Sequence, residues 1–273
     1  MFLLFVLNGC AALVVDPLLA SLSRSLEQET DIELLIDGSP TLLLLLDGML
    51  VDDPENPKLL RAGTRAFTAY ALLLDETGKP ERARLAGDKA RAYGFKLLSR
   101  NAQFKQTCQA SLSLFQEALL SFDQDDAADL FWGGQAWALW IKLQGGSPAA
   151  LAELPKVEAL MLRVIALDET VAFGSAHLVL GSIYGSLPVM LGGKPELGRH
   201  HFERALALSR RQYWPVQVAY ADVYARQTFN RELFIGLLNE VIGKSLPANE
   251  MMSANRLAQK KAAELLARVD DFF

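Results

Sequence analysis

Residues 178–206 read LVLGSIYGSLPVMLGGKPELGRHHFERAL, and this stretch decides the fold. Small and aromatic residues stand at helical spacing on both sides of a loop that is rich in glycine and proline. They are Gly181 and Tyr184 before the loop, and Gly198, Phe202 and Ala205 after it. Small residues at such positions let two antiparallel helices touch, and the large ones fill the gaps between units. The stretch therefore predicts a helix pair with a lengthened loop.

The same spacing recurs elsewhere in the chain. Further units stand at Ala83, Gly87 and Ala90, at Ala159, Arg163 and Ala166, and at Ala221 and Tyr224 with Leu233 and Leu237. Alternating strand patterns are nearly absent. The sequence therefore predicts an all-α fold, a tetratricopeptide-like (TPR-like) array of about a dozen antiparallel helices with degenerate repeats and lengthened loops. An irregular helical bundle is the alternative, because small residues at helical spacing occur in any bundle.

Several helix ends can be read from capping residues and prolines. Ser39-Pro40 predicts a helix start, with proline at the first helical position. That helix should end near Val51, because the prolines at positions 54 and 57 restrict the residues before them. A second helix is predicted from Pro57 to about Glu76. Residues 145–148 and 187–195 are predicted loops.

The composition limits the possible partners. The chain has 273 residues, of which 51% are hydrophobic, and a formal net charge of -5. This length can bury the core of one repeat domain. Charges of both signs are mixed along the chain, whereas a nucleic-acid-binding face needs clustered basic residues. We therefore expect no nucleic-acid partner.

The first ten residues read MFLLFVLNGC and match a bacterial lipobox, in which Cys10 would carry the lipid. Each buried methylene of an acyl chain contributes about 0.8 kcal/mol to membrane binding. We therefore expect a lipoprotein signal segment at 1–10 and a single α-helical TPR-like domain at 11–273, anchored to a membrane in the periplasm. Ala11 mildly favours the outer membrane. The alternative is a buried apolar helix with a chance cysteine.

No catalytic signature is evident. Residues 145–149 lack the last glycine of a nucleophile elbow, and the prolines at 188 and 195 break the pattern of a phosphate loop. Adjacent His200 and His201 point about 100° apart on a helix, so they cannot both face one metal without other ligands. His177 falls at a packing position. We therefore expect no enzymatic activity, no metal and no cofactor; a hydrolase with an unrecognised site is the least favoured alternative.

Three tryptophans, Trp132, Trp137 and Trp140, lie on one predicted helix. Trp137 and Trp140 are three residues apart and share a face, whereas Trp132 points about 140° away from Trp137. At least one ring should therefore face away from the contact between helices. Packing between repeats is one interpretation, and lining an apolar ligand groove is the other.

The long loop supplies the remaining candidate groove residues. Tyr184 and Pro188 come just before it and could border the same groove. Gly192 and Gly193 allow a positive φ and a close backbone approach, although a simple tight turn would also use them.

Several blocks of the chain resemble the TatT family, TPR-like lipoproteins found beside TRAP (tripartite ATP-independent periplasmic) transporters. The blocks are DDPENP at 52–57 with the helix up to residue 70, WGGQAWA at 132–138, LPKVEALM through LDE at 154–169, the loop block at 187–206, and the C-terminal blocks at 231–234, 254–258 and 265–273. The loop block is the most specific, because its proline and paired glycines lie inside the lengthened loop.

The resemblance implies an α-helical TPR-like fold, a lipid anchor on Cys10 and a homotrimer. It also implies pairing with a periplasmic solute-binding protein of a TRAP system. Members present an apolar cleft thought to handle a hydrophobic or carboxylated ligand, so the implied function is to bind or pass such a ligand during solute uptake. The alternative is a generic TPR scaffold lipoprotein that binds protein segments during envelope assembly.

Overall fold

The computed structural model describes residues 20–186, 190 and 193–273. Within them the chain is helical and contains no strands, which confirms the predicted all-α class. A short N-terminal helix covers residues 20–28. The later helices are α1 Ile32–Asp52, α2 Pro57–Glu76, α3 Pro80–Leu98, α4 Ala102–Thr107, α5 Leu112–Leu119, α6 Ala127–Leu143, α7 Pro148–Leu151, α8 Leu154–Asp168, α9 Val171–Gly185, α10 Pro195–Leu208, α11 Pro215–Ala219 with a π-helical continuation Tyr220–Ala225, α12 Arg231–Ile242, α13 Met252–Leu266 and α14 Val269–Phe272.

The long helices pack in a series. α1 contacts α2, α2 contacts α3, α3 contacts α6, and the series continues through α8, α9 and α10. α11, α12 and α13 complete the second half of the fold around Trp214 and Phe234. α13 also returns to α2, where Lys261 Nζ lies 2.9 Å from Glu76 Oε2. The array is consistent with the predicted helix pairs, and its TPR-like character stays a prediction.

The predicted start of a helix at Ser39-Pro40 is wrong, because α1 begins at Ile32 and Pro40 lies inside it. Asp31 caps α1 by accepting hydrogen bonds from two backbone N–H groups of its first turn. Pro40 has no N–H, so the carbonyl of Ile36, four residues earlier, loses its helical donor. The hydroxyl of Tyr70 on α2 lies 3.4 Å from this carbonyl oxygen and supplies a donor in a buried place. Contact with α2 thus lets the helix continue through the proline.

The prediction for α2 is confirmed from Pro57 to Glu76. The side chain of Asn56 accepts from the N–H groups of Lys58 and Leu59, and Pro57 takes the first helical position. The predicted end of the preceding helix near Val51 agrees within one residue, since α1 ends at Asp52.

α1 is long and apolar enough to cross a membrane by length and composition alone. The core helix of a globular protein can meet the same criteria. Here Ile36, Leu43, Leu46 and Leu50 are buried in the array, and Leu44 on the opposite side is exposed. α1 therefore packs on one side only.

The contact predicted between α9 and α10 is present. A Cβ atom on Gly198 would lie only 2.8 Å from the backbone nitrogen of Gly185, and one on Gly181 would lie 3.0 Å from the ring of Phe202. Phe202 and Ala205 are fully buried. The small residues therefore set how closely the two helices approach.

The chain makes a left-handed turn as it enters α9. Ala172, Phe173 and Gly174 have φ angles of 48°, 63° and 78°. Each L-residue in this conformation costs about 1–2 kcal/mol, so the turn needs contacts that hold it. The ring centroid of Phe173 lies 5.5 Å from that of Tyr213, and Gly174 packs so tightly on Leu208 that a Cβ atom there would lie 2.8 Å from it.

Replacing Gly198 with alanine should destabilise the protein by about 1–3 kcal/mol, because the added methyl group meets backbone atoms of α9 that cannot rotate away. Urea unfolding followed by circular dichroism measures the effect. Gly236→Ala is the matched control: this glycine lies inside α12 with nothing within 4 Å of the added atom. It should gain about 0.5–1 kcal/mol from helix propensity. Equal effects of the two substitutions would contradict the close contact.

Candidate functional site

Trp137 and Trp140 on α6 face Arg91 and Phe95 on α3. Arg91 Cζ lies 3.8 Å from the ring centroid of Trp140 and 4.8 Å from that of Phe95. The rings of Phe95 and Trp137 meet edge to face at 4.7 Å. A cation is attracted to the face of an aromatic ring. These four residues therefore pack as one unit, the Arg91 aromatic cluster.

Two carboxylates fix the polar atoms of this cluster. Glu153 accepts from the guanidinium of Arg91 and from the indole N–H of Trp137, both at 2.5 Å. Asp88 accepts from the indole N–H of Trp140 at 2.8 Å. Burial lowers the pKa of Arg91, and Glu153 counteracts it. Trp137 is buried, while Trp140 and Phe95 remain partly exposed.

Trp132 faces a different partner, α2. Arg65 Cζ lies 5.0 Å from its ring centroid, and the ring of Phe131 lies 5.1 Å away. Arg65 Nη2 is also 3.1 Å from Glu27 Oε1 in the N-terminal helix. This agrees with the predicted divergence of Trp132 from Trp137.

Tyr184 on α9 lies between α8 and α10. Its ring stacks on His201 with 5.5 Å between centroids, and its hydroxyl donates to Glu158 Oε1 at 2.7 Å. Burial raises the pKa of Tyr184, and the hydrogen bond to Glu158 adds to this effect. Tyr184 is thus a neutral, buried residue whose hydroxyl is already bound.

A polar chain continues from His201. His201 Nδ1 lies 2.8 Å from His177 Nδ1, and His177 Nε2 lies 3.3 Å from Glu169, which also binds Arg204. If His177 donates its Nε2–H to Glu169, the neutral ring can only accept at Nδ1, so His201 must donate there. Burial lowers the pKa of both histidines, to about 4 for His201, where nearby His177 and His200 add to the effect.

The long loop is described only at its edges. Pro188 and Gly192 lie outside the described residues, as does Cys10. Gly193 is half-buried. The next residue, Lys194, contacts the end of α9, because its backbone N–H donates to the carbonyl of Tyr184 at 3.0 Å. Lys194 Nζ lies 5.5 Å from the ring centroid of Tyr184.

Two depressions in the described part of the chain lie away from these residues. An open depression of about 450 Å³ is lined by Arg211, Asn230, Glu232, Leu233, Gly236, Leu237 and Glu240. Arg211 is paired with Glu240 and also lines a second depression of about 220 Å³. Neither borders a candidate groove residue. Among the described residues, no group of three or more His, Cys, Asp or Glu side chains is placed to hold a metal ion.

Comparison with known proteins assigns the family. A family model described as the TRAP transporter T-component matches residues 28–273, which is nearly the whole chain. The chain belongs to the TRAP transporter T-component family. It is also similar to an uncharacterized protein of Treponema pallidum (strain Nichols), with 25% identity over 275 residues that cover 93% of this chain and 84% of that protein.

Some contacts in this T-component could not be read from its sequence. Arg65 lies 67 residues before Trp132, and Arg91 lies 46 residues before Trp137. No local sequence pattern therefore links either arginine with its tryptophan. A signal did exist for His177, which is the titratable imidazole in the mostly apolar helix VAFGSAHLVLGSIYG. Its position in the repeat predicts a packing role, and it is buried; the structure adds its pairing with His201.

The histidine pair predicts a stability that falls on acidification. The folded state keeps the pKa of His201 at about 4, whereas the unfolded chain has the ordinary value of 6.5. Between these values the unfolded state binds more protons, so stability is full above pH 6.5 and is lost as the pH falls towards 4. Urea unfolding across this range tests the prediction.

His201→Gln should flatten this pH dependence, because it removes the buried titrating ring. The matched control is His200→Gln, which alters an exposed histidine on the same helix and should keep most of the acid slope, because burial is the main cause of the low pKa of His201. If the stability of His201→Gln fell on acidification as steeply as that of the unchanged protein, groups other than His201 would account for the pH dependence.

Proposed function

We propose that this T-component is a lipid-anchored accessory protein of a TRAP-type solute uptake system, which binds or passes a hydrophobic or carboxylated ligand and pairs with a periplasmic solute-binding protein. The family match over residues 28–273 carries the proposal and gives the association with TRAP transporters. The mechanism is binding and transfer, with no covalent step.

The contacts of the tryptophans support this ligand class. Trp132 and Trp140 are partly exposed, and each has a guanidinium over its ring. An aromatic surface next to a cation suits a ligand that combines an apolar body with a carboxylate. In this proposal Trp132, Trp137 and Trp140 belong to the ligand groove, and Tyr184, Pro188, Gly192 and Gly193 border it.

The anchor is proposed from the sequence. The acyl chains on Cys10 would hold the domain at the periplasmic face of a membrane, with mild preference for the outer membrane from Ala11. Stable attachment needs more than one acyl chain, which a bacterial lipoprotein provides. The proposed homotrimer and the solute-binding partner rest on the family relationship.

Native mass spectrometry of the full chain carrying Cys10→Ser tests the ligand and the oligomer together. This substitution removes the acceptor thiol and changes no described residue. We expect a trimer with an apolar or carboxylated adduct, whose mass identifies the ligand. A bare monomer would contradict both expectations and favour the protein-binding scaffold instead.

The partner is tested separately by adding the solute-binding protein encoded with a TRAP permease in the same genome. We expect a complex in the same spectra. A solute-binding protein from an ATP-driven uptake system is the control and should not bind. Equal binding of the two proteins, or of neither, would contradict the proposed pairing.

A further inference from the structure

Arg65 differs from the neighbouring arginine on the same face of α2. Arg61 is bound on two nitrogens by Asp129, with Nε and Nη2 at 2.5 and 2.8 Å from its two carboxylate oxygens. Among the described residues, Arg65, one helical turn later, makes a single hydrogen bond to a carboxylate, from Nη2 to Glu27 Oε1 at 3.1 Å. Guanidinium groups bind carboxylates best through two parallel hydrogen bonds. The contact between Arg65 and Glu27 therefore uses only part of what the guanidinium can donate.

The carboxylate that reaches Arg65 belongs to the N-terminal helix. Glu27 stands beside Leu26, which lies four residues after Leu22, and both leucines are half-buried. Residues four apart share one side of a helix. The two leucines therefore share one side of this short helix, and its Glu27 reaches Arg65 where that guanidinium lies over the ring of Trp132.

We propose that Arg65 and the indole of Trp132 form a binding site for the carboxylate end of an apolar acid, and that Glu27 occupies this site in the structure as an internal substitute. The ligand class rests on the proposed function; the location and the competing side chain rest on the contacts of Arg65. The acid would place its carboxylate on the guanidinium and its chain along Trp132, and would displace the helix of residues 20–28.

The competition is weak enough to be overcome. The side chains of Arg65 and Glu27 are 44% and 31% exposed, and exposed ion pairs of this kind contribute little. Removing the negative charge of Glu27 should therefore strengthen the binding of an added carboxylate by about two- to five-fold. A ligand carboxylate that makes two parallel hydrogen bonds to Arg65 would bind the guanidinium more strongly than Glu27, which makes one.

Decanoate is a suitable probe, and decan-1-ol has the same chain length without the carboxylate. Calorimetric titration of the full chain carrying Cys10→Ser should give tighter decanoate binding for Glu27→Gln than for the unchanged residue. Arg65→Gln should bind decanoate no better than decan-1-ol. Hydrogen exchange of residues 20–28 should accelerate when decanoate binds, because the helix is displaced.

Arg84→Gln is the matched control, since Arg84 has the same side-chain exposure of 44% and, among the described residues, pairs with Glu81 and Asp88 on its own helix. It should leave decanoate binding unchanged. Circular dichroism establishes that each variant is folded. Any of three results would overturn the proposal: the same decanoate affinity for Glu27→Gln as for the unchanged residue, undiminished decanoate binding by Arg65→Gln, or no decanoate binding by any variant. If the trimer still carried an adduct and bound its solute-binding protein in those cases, the proposed function would stand and only this site would be wrong.

Discussion

The contact between the backbones of α9 and α10 sets the geometry of the polar chain beside them. Gly198 lies against Gly185 so closely that a single methyl group would meet backbone atoms. At this separation the rings of His177 and His201 come within hydrogen-bond distance, and Tyr184 stacks on His201. All three contacts join α9 to α10, so they would be lost together if the helices moved apart.

A cluster of paired charges around Glu76 fixes how three helices are arranged. Burial alone would raise the pKa of Glu76, but Lys142 and Lys261 outweigh it and hold that pKa below its ordinary value. The three residues come from the ends of α2 and α6 and from α13, so one cluster joins three helices that are distant in sequence. A charge taken out of water is costly unless it is paired, which disfavours alternative packing of these helices.

The sequence predicted what depends on local spacing. Cap residues predicted the bounds of α2. Helical periodicity predicted the contact of Gly181 and Gly198 and the divergence of Trp132 from Trp137. It did not predict the course of α1, because the donor that compensates for Pro40 comes from Tyr70. Nor did spacing suffice for every repeat: Ala166, the last small residue of one proposed unit, is exposed rather than packed.

The candidate site was less predictable than the fold for the same reason. Residue types along α6 identified the three tryptophans, but their cations come from α2 and α3. Their carboxylates come from the N-terminal helix, from α3 and from the residue just before α8. Which tryptophan is buried depends on those partners. Trp137 is enclosed by Phe95, Phe115 and Glu153, whereas Trp132 lies under Arg65, which pairs with Glu27 of the short N-terminal helix.

The position of α6 determines which part of the site can move. Gly133 and Gly134 bring this helix so close to Leu98, Leu160 and Met161 that a Cβ atom on either glycine would lie within 2.7 Å of a side-chain atom. Packed on several sides in this way, α6 cannot shift towards a ligand without disturbing the core. The helix of residues 20–28 reaches α2 through the exposed pair of Glu27 and Arg65. An acid that binds over Trp132 would therefore be accommodated by displacing that short helix, while α6 keeps its place and continues to hold the Arg91 aromatic cluster on its other side.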